Sequence, residues 1–311
     1  IKSIHNQVDR LLEGRAELVD NYDWMKDYTL LNFMRDIGKF INVNYMLDKD
    51  IIRRRLETGI TWAEFSYTLL QGYDFLHLFK TKKCIMQVAG SDQWGNITTG
   101  VDLIRKMLNE TAYAFTMPLI LDPTGKKFGK SEGNAIWLAS SDNGGGNYTS
   151  IFDFYQFWLN QPDESVEYLI KIYTLYDKET IKNILSQHQE APEKRIAQRA
   201  LARGATEVVH GHENAEAVEN LTKMLFNKDT DFANFSADEI SEFAEYLPLV
   251  ERGTNLVDAL ATTGLAESKK KARELIKSGA ITINGTKVTS EIVLSQTAII
   301  KKGKNKFAVV K

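Results

Sequence analysis

Apolar residues recur at helical spacing along much of this 311-residue chain. They do so in residues 1–19 and again, in shorter pieces, across 28–57. The stretch 62–79 carries the same spacing in a longer and more apolar form. Because residues three and four apart share one face of a helix, the pattern predicts helices in all three stretches.

A strand, a glycine turn, a helix and a second apolar run follow in that order. Lys83–Val88 is a short apolar run that leads to Gly90, and helical spacing resumes from Asn96 to Leu108. Ala112–Leu121 is apolar again and ends in the turn signal Asp122-Pro123-Thr124-Gly125. This order predicts the later half of a parallel sheet in an α/β fold.

The composition changes at a polar, glycine-rich stretch, residues 140–147. Beyond it the pattern is helical through 148–226, with Pro162 and Pro192 at predicted helix starts. Residues 227–248 are acidic and weakly patterned, which predicts a linker or a small cap.

The part of the chain from Asn255 onwards predicts two helices and a hairpin. Ser268 is suited to cap the second helix and Gly279 to end it. Asn284-Gly285-Thr286 lies between two short runs of strand-forming residues, which is a hairpin signal.

Charge is distributed unevenly, although the net charge is only −2. Residues 249–311 hold 12 Lys or Arg and 5 Asp or Glu, a net charge of +7, and the preceding residues carry −9. A basic module on an acidic body predicts a polyanionic partner for the tail. Charge alone favours a solvated, lysine-rich surface equally.

The single cysteine, Cys84, rules out an internal disulfide framework and fits a reducing, cytoplasmic compartment. It lies at the entrance to the predicted strand with no histidine nearby in the sequence, which favours a buried, unreactive thiol over a nucleophile. No apolar run reaches the length of about 18 residues that a membrane-spanning helix needs.

Lysines and hydroxyls are concentrated in the glycine-bounded segment 122–134, where Lys127 and Lys130 lie three positions apart and Ser131 follows. Lys127, Lys130 and Ser131 could lie along a polyphosphate and stabilise the charge that builds on its leaving group. The same residue types also occur in exposed lysine turns, which are the commoner case. The spacing of a Walker-type phosphate loop is absent.

Tyr67, Gln71 and Asp74 share one face of the predicted 62–79 helix. With Gln87, they could bind a small zwitterion: the tyrosine and the glutamines would meet an ammonium group, and Asp74 a phenolic hydroxyl. A site built to hydrogen-bond a hydroxyl rejects an analogue without one, because its polar groups would be buried unpaired. The alternative is the solvated stripe of an amphipathic helix.

A turn rich in polar residues, Val88–Asn96, follows the predicted strand directly. Gly90 allows close approach of the backbone to a ligand, and a carboxylate such as Asp92 can bind ribose hydroxyls. Gln93 adds an amide to this group. By itself, a Gly-Ser-Asp turn before a helix is equally a good helix cap.

The exact strings carry more information than the residue types. Lys127-Phe128-Gly129-Lys130-Ser131 resembles the KMSKS signature of class I aminoacyl-tRNA synthetases. The chain as a whole resembles the bacterial-type tyrosyl-tRNA synthetases, whose further motifs appear in the family's order: Asn21–Trp24, Thr61–Phe75, Gly90–Asn96 and Ala191–Arg195.

The resemblance implies an α/β fold with three parts. It implies the later half of a Rossmann-like nucleotide-binding domain, then an α-helical domain and a small α-L RNA-binding domain. The boundaries we predict are a catalytic domain at 1–145, an anticodon-side helical domain at 146–226, a linker at 227–248 and the RNA-binding domain at 249–311.

The family's activity is the ligation of tyrosine to its tRNA for protein synthesis. Tyrosine attacks the α-phosphate of ATP, with Mg²⁺ expected, and then passes to the terminal adenosine of tRNA(Tyr). By match to the motifs, the pyrophosphate side would be stabilised by Lys127, Lys130 and Ser131. The adenylate would be held by Gly90, Asp92, Gln93 and Lys130, and the tyrosine by Tyr67, Gln71, Asp74 and Gln87.

The resemblance also implies partners. Arg105 and Lys106 would contact the acceptor stem of the tRNA. Phosphates elsewhere on the tRNA would meet the basic residues of the tail, namely Lys269, Lys270, Lys271, Arg273 and Lys277. A homodimer is expected, with the apolar helices of the first 60 residues as its interface.

One family signature is missing. The family's first signature sequence, HIGH, lies in the opening strand-to-helix turn of the nucleotide fold. The nearest copy here is His210-Gly211-His212, which falls in the helical region. We interpret it as surface polar residues rather than a metal pair. We therefore expect about 100 further residues before Ile1, a domain-sized segment, and an inactive chain without them. Robust tyrosine-dependent pyrophosphate exchange would contradict that expectation.

Two alternative interpretations stay open. One is a tryptophanyl-tRNA synthetase, against which Asp74, its neighbours on the helix and the basic tail argue. The other is a non-catalytic RNA-binding protein derived from a synthetase. The absence of HIGH favours it, but it gives no reason for an intact Lys127–Ser131 loop.

Overall fold

The computed structural model describes residues 2–121, 135–141, 147–227, 230, 232–303 and 305–311. The chain divides into two compact units. Residues 12–132 form one, which we call the α/β unit. Residues 1–11 and 133–311 form the other, which we call the helix–tail unit.

Helices pack on one face of a short parallel sheet in the α/β unit. The bounds of its elements are α2 Tyr22–Met25, α3 Leu30–Asp36, α4 Val43–Leu47, α5 Asp50–Leu56, α6 Trp62–Lys82, β1 Met86–Gly90, α7 Trp94–Leu108 and β2 Tyr113–Met117. The first helix of the chain, α1 Lys2–Leu12, belongs to the helix–tail unit except for its last residue. Single 3₁₀ turns lie at Gly38–Phe40 and Ser91–Gln93.

The predicted 62–79 helix is confirmed as α6 and extends to Lys82. It begins with a capping box, in which the Thr61 hydroxyl accepts from the Glu64 amide and the Glu64 carboxylate accepts from the Thr61 amide. It ends where Lys83 adopts the left-handed conformation, with φ of 57°. This cap explains why the strand starts at Met86 instead of Lys83.

α6 and α7 cross at two glycines. A Cβ atom on Gly72 would lie 2.9 Å from Cγ2 of Thr99, and one on Gly100 would lie 2.8 Å from Cβ of Phe75. Real side chains do not pack this closely, so both positions require glycine for the two helices to meet. Side chains on the facing surfaces are thereby brought within hydrogen-bonding distance.

β1 and β2 pair in parallel, with Met86 opposite Tyr113 and Gly90 opposite Met117. One face of this pair packs through Ala89 and Ala114 on the core of α6 and α7. The other face carries a row of half-exposed apolar side chains: Met86, Val88, Tyr113, Phe115 and Met117. Parallel sheets are normally covered on both faces, so this row is an exposed apolar surface of the described residues.

The helix–tail unit begins with a group of helices and ends in a five-stranded sheet. Its helices are α8 Ile151–Leu159, α9 Asp163–Tyr173, α10 Lys178–Glu190, α11 Ile196–His210, α12 His212–Phe226, α13 Ala237–Glu242, α14 Leu256–Thr262 and α15 Lys269–Lys277. Its strands are β3 Leu249–Val250, β4 Ile281–Ile283, β5 Thr286–Val288, β6 Ala298–Lys302 and β7 Lys306–Val310, in the spatial order β3-β7-β6-β4-β5.

The local signals predicted for the tail are confirmed. The Ser268 hydroxyl accepts from the Lys271 amide and caps α15, and Gly279 follows that helix with φ of 67°. Asn284 and Gly285 both have positive φ, 47° and 82°, in the two-residue turn between β4 and β5. That is the backbone that Asn-Gly favours in hairpins.

A hydrophobic cluster of the described residues joins the helices to the tail sheet. Phe152 of α8 meets Phe307 of β7 edge to face, with ring centroids 6.3 Å apart. The segment that the sequence predicts as a linker or cap takes part, because Ile240, Phe243 and Leu247 are buried in the same cluster. The helices and the tail sheet therefore share one core within this unit.

Candidate functional site

Asp74 on α6 is held by two donors from the short α2 segment. Nε1 of Trp24 donates to Oδ1 at 2.8 Å, and Nδ2 of Asn21 donates to Oδ2 at 3.0 Å. Trp24 is itself fixed by stacking on His77, with ring centroids 4.5 Å apart and planes 12° apart. Each carboxylate oxygen keeps acceptor capacity, because it has more than one lone pair. Asp74 is therefore an oriented acceptor for a further donor.

Two glutamines of the predicted site carry buried oxygens without partners. Oε1 of Gln71 and Oε1 of Gln87 have no hydrogen-bond donor among the described residues. Gln71 lies one helical turn from Asp74 on α6. Gln87 lies on the face of β1 that includes Ala89, which packs against the same core. A buried unpaired carbonyl costs about 1–3 kcal/mol, which a donor from a ligand would remove.

Tyr67 stands at the edge of a 470 Å³ cavity of the α/β unit. Its side chain is 56% exposed. Tyr67, Gln71 and Asp74 share one face of α6, as the sequence predicts. The arrangement offers an exposed hydroxyl, an unpaired amide oxygen and an oriented carboxylate in a row.

The carboxyl end of β1 is crowded at Gly90 by the side chains of two nearby residues. A Cβ atom there would lie 2.9 Å from Oδ1 of Asp92 and 3.1 Å from Cδ2 of Leu119. Asp92 and Gln93 follow in the 3₁₀ turn before α7. This close-packed turn at the strand end is the usual position of a ligand in an open α/β sheet.

A buried lysine that the sequence analysis did not identify supports the same turn. Nζ of Lys49 donates to the carbonyl oxygen of Gly95 and lies 4.4 Å from the ring centroid of Tyr45. Burial lowers the pKa of Lys49 to about 8, and the nearby Asp102 opposes this shift. A lysine before a short helix carries no sequence signal for such a contact.

The predicted acceptor-stem residues are already engaged in ion pairs. Arg105 and Lys106 both pair with Asp102, at 2.5 and 2.6 Å, and Lys106 also donates to the carbonyl of Phe40 at 2.9 Å. Burial is the largest single influence on the pKa of Asp102 and raises it. The hydrogen bonds and charges of Lys106 and Arg105 together outweigh burial, so the pKa of Asp102 is lowered.

The five basic residues of the tail that are predicted to contact tRNA are all exposed and lie on α15. Lys269 pairs with Asp258 at 2.7 Å, Lys271 with Glu274 at 3.0 Å, and Arg273 with Glu291 at 3.0 Å. Lys270 and Lys277 make no ion pair with the described residues. They are seven positions apart, so both lie on one face of the helix.

Lys127, Lys130 and Ser131 lie outside the described residues. His210 is part-buried with its ring edge-on to Phe154 at 4.9 Å, and burial lowers its pKa to about 4. His212 is exposed and pairs with Glu207. Within the described ranges, no group of three or more His, Cys, Asp or Glu side chains could hold a metal ion.

Residues 1–227 match the family described as "tRNA synthetases class I (W and Y)", and residues 239–310 match the "Tyrosine--tRNA ligase SYY-like C-terminal domain". Two tyrosine–tRNA ligases of Streptococcus pyogenes, from serotypes M3 and M18, are each 41% identical over 96% of this chain. The chain belongs to the tyrosine–tRNA ligase family of class I synthetases. It spans 72% of the length of those relatives.

Solved structures of the family have the same fold. The mitochondrial tyrosyl-tRNA synthetase of Aspergillus nidulans, C-terminally truncated, matches with 30% identity and a TM-score of 0.57 over 72% of this chain. That of Coccidioides posadasii, also truncated, matches with 28% identity and a TM-score of 0.56 over 70% of this chain. The chain covers 65% of each of these structures.

Family membership confirms the predicted fold class, a Rossmann-like domain with a C-terminal domain. It also confirms the predicted resemblance to tyrosyl-tRNA synthetases. No helix among the described residues is long and apolar enough to cross a membrane.

Proposed function

We propose that this chain supplies the tyrosine site and part of the ATP site of a tyrosine–tRNA ligase in the cytoplasm. The observation that carries the proposal is the Asp74 carboxylate, oriented through both oxygens by Asn21 and Trp24. A phenolic hydroxyl would donate to it. Phenylalanine would leave it without that donor, and a site of this kind discriminates strongly against such an analogue.

The other end of tyrosine would meet the unpaired amide oxygens. The substrate ammonium would donate to Oε1 of Gln71 and Oε1 of Gln87, with the Tyr67 hydroxyl as a third partner. These contacts would fix the amino acid at both ends. Its carboxylate would then face the turn at Gly90, Asp92 and Gln93, where the adenylate is expected.

The reaction needs positioning rather than a protein nucleophile. A carboxylate oxygen of tyrosine forms a bond to the α-phosphorus of ATP, and the bond from that phosphorus to the pyrophosphate oxygen breaks. Fixed geometry and stabilisation of charge lower the barrier to such transfers. We propose that Lys127, Lys130 and Ser131 stabilise the departing pyrophosphate, on the basis of their signature sequence.

Mg²⁺ would enter with ATP. When bound, it neutralises charge on the phosphates. The described residues fit a metal carried by substrate phosphates, because they contain no cluster of metal-ligating side chains that could form a cage. Asp92 would contribute its carboxylate beside the nucleotide.

We propose the domain boundaries predicted from the sequence, with the tail at 249–311 binding tRNA(Tyr). Exposed Lys270 and Lys277, unlike their ion-paired neighbours on α15, can contact phosphates without first breaking a salt bridge. Arg105 and Lys106 would contact the acceptor stem as a pair already aligned by Asp102.

A homodimer is proposed from an apolar groove of the α/β unit. The groove has a volume of about 420 Å³ and includes Met34, Val43 and Trp62. Leu31 is 82% exposed, and Trp62 is 65% exposed. An apolar patch of this kind favours association with a second copy. Sedimentation equilibrium should give a dimer, and Trp62→Glu a monomer, whereas Leu175→Glu in the helix–tail unit should leave the dimer intact.

The tyrosine site can be tested with a non-hydrolysable sulfamoyl mimic of tyrosyl adenylate. Calorimetric titration should show binding, and the phenylalanyl counterpart should bind at least about 100-fold more weakly. Asp74→Asn should remove most of this preference, whereas Glu167→Gln, a surface change on α9, should not. No binding, or equal binding of the two mimics, would contradict the proposed function.

A further inference from the structure

Two buried polar side chains connect α6 to α7 beside the candidate site. Thr68 is 2% exposed and Asn96 is 5% exposed. The Thr68 hydroxyl donates to Oδ1 of Asn96 at 2.8 Å. Close crossing of the helices at Gly72 and Gly100 brings the two side chains together. Both border the cavity that Tyr67 lines.

The connection continues to Gln93, a predicted adenylate contact. Nδ2 of Asn96 donates to Oε1 of Gln93 at 3.0 Å. With the Thr68 hydroxyl donating to the Asn96 oxygen, the Asn96 NH₂ group faces Gln93. The oxygen of Gln93 is therefore occupied, and its Nε2 is the group that stays available to a ligand.

This orientation is opposite to that of the other two glutamines. The oxygens of Gln71 and Gln87 are buried and unpaired among the described residues, and acceptors of this kind suit the ammonium group of an amino acid. Gln93 presents donor hydrogens, which suit an anionic or carbonyl oxygen. The two ends of a zwitterion, or of its acyl phosphate, require these opposite polarities.

We propose that Thr68 and Asn96 are positioning residues that fix the side-chain amide of Gln93 as a donor to the acyl or phosphate oxygens of tyrosyl adenylate. The inference rests on the proposed function, because it takes Gln93 as a ligand contact. A free glutamine amide can rotate by half a turn at little cost. The buried Asn96 NH₂ group opposes this rotation, since a rotated Gln93 would direct its own NH₂ at it.

Asn96→Asp is the sharpest perturbation. The aspartate still accepts from Thr68 but offers a carboxylate oxygen to Gln93, which turns its NH₂ inwards and its oxygen to the ligand. Hydrogen bonds to charged groups are strong enough that the dissociation constant of the sulfamoyl mimic should rise about 10- to 100-fold. Thr68→Val should weaken binding of the mimic less than Asn96→Asp does. Thr68→Ser keeps the hydroxyl and should bind the mimic like the wild type.

Two controls separate positioning from damage to the fold. Thr98→Val removes a hydroxyl on α7, the helix that carries Asn96. This hydroxyl donates only to the main-chain oxygens of Trp94 and Gly95 among the described residues, so the variant should leave the affinity for the mimic unchanged. In a Gln93→Ala background, Asn96→Asp should have no further effect, because coupled residues are not additive. Thermal midpoints of all variants show whether each one folds.

A ligand-free measurement tests the connection by itself. In ¹⁵N–¹H spectra of the whole chain, Thr68→Val should shift the side-chain amide signals of both Asn96 and Gln93, and Thr98→Val should shift neither. If wild-type chain fails to bind the mimic, the proposed function fails and this inference with it. If wild type binds and Asn96→Asp binds equally well, or if Thr68→Val leaves the Gln93 signal in place, only the positioning role is refuted.

Discussion

Lys49 should make the stability of this protein rise with pH above pH 8. It is 8% exposed, and burial lowers its pKa from 10.5 to about 8. Between these values the unfolded chain holds a proton that the native chain has lost, so stability increases as pH rises. Below pH 8 both states are protonated, and the folded state carries the full cost of the buried ammonium.

The size of the pKa shift of Lys49 determines how much the free energy of unfolding changes with pH. At about 1.4 kcal/mol per pKa unit, it corresponds to about 3 kcal/mol. Lys49→Met would remove that cost but also lose the hydrogen bond to the Gly95 oxygen, worth about 1 kcal/mol. The oxygen would not be left unpaired, because the hydroxyls of Thr98 and Thr99 also donate to it, at 3.2 and 3.0 Å. We expect a net gain of about 2 kcal/mol at pH 7.

Urea denaturation from pH 7 to pH 10 measures the difference. Lys49→Met should be the more stable protein at pH 7, and wild type should approach it as pH rises from 8 to 10. Lys182→Met, on the exposed side of α10, is the matched control and should change stability by less than about 0.5 kcal/mol. Parallel curves for wild type and Lys49→Met would show that the ammonium is not buried in the way the structure indicates.

Three further results are expected. Trp24→Phe keeps an aromatic ring on His77 but removes a donor to the Asp74 carboxylate, so titration should show weaker binding of the tyrosyl mimic by about 1.5–3 kcal/mol. His210, whose pKa burial lowers to about 4, should make stability fall as pH drops from 6.5 to 4 by up to about 3 kcal/mol. Acid denaturation of His210→Phe should lack this loss, and an unchanged profile would contradict it. Lys270→Gln and Lys277→Gln should each reduce the salt dependence of tRNA binding by about one counterion or less, whereas Lys171→Gln, at a residue paired with Glu167, should not.

Local pattern was sufficient to predict most helices and the hairpin. The period of α6 and the Asn284-Gly285 turn are properties of neighbouring residues, so a single sequence reveals them. The limits of β1 were less predictable, because the left-handed cap at Lys83 delays the strand by three residues. Nothing in a lysine's own identity indicates that conformation.

The site was predictable as a set of residues on one helix face, but not as a geometry. Asp74 is oriented by Asn21, 53 positions earlier, and no periodic pattern connects such distant residues. The Thr68–Asn96 contact likewise depends on two glycines that allow the helices to approach. Long-range contacts between polar side chains arise from packing, so they became visible only in the folded chain.

The cluster that joins Phe152 and Phe226 to Phe307 has a consequence for protein engineering. A cut at Leu249 would divide β3 from Phe243 and strip the helices of the sheet that covers them. The tail is therefore unsuited to transplantation as a cassette, and a chimera made at that junction would expose aromatic side chains on both fragments. A graft that carries residues 232–311 together with Phe152 and Phe226 would keep the aromatic contacts of Phe307 within the helix–tail unit.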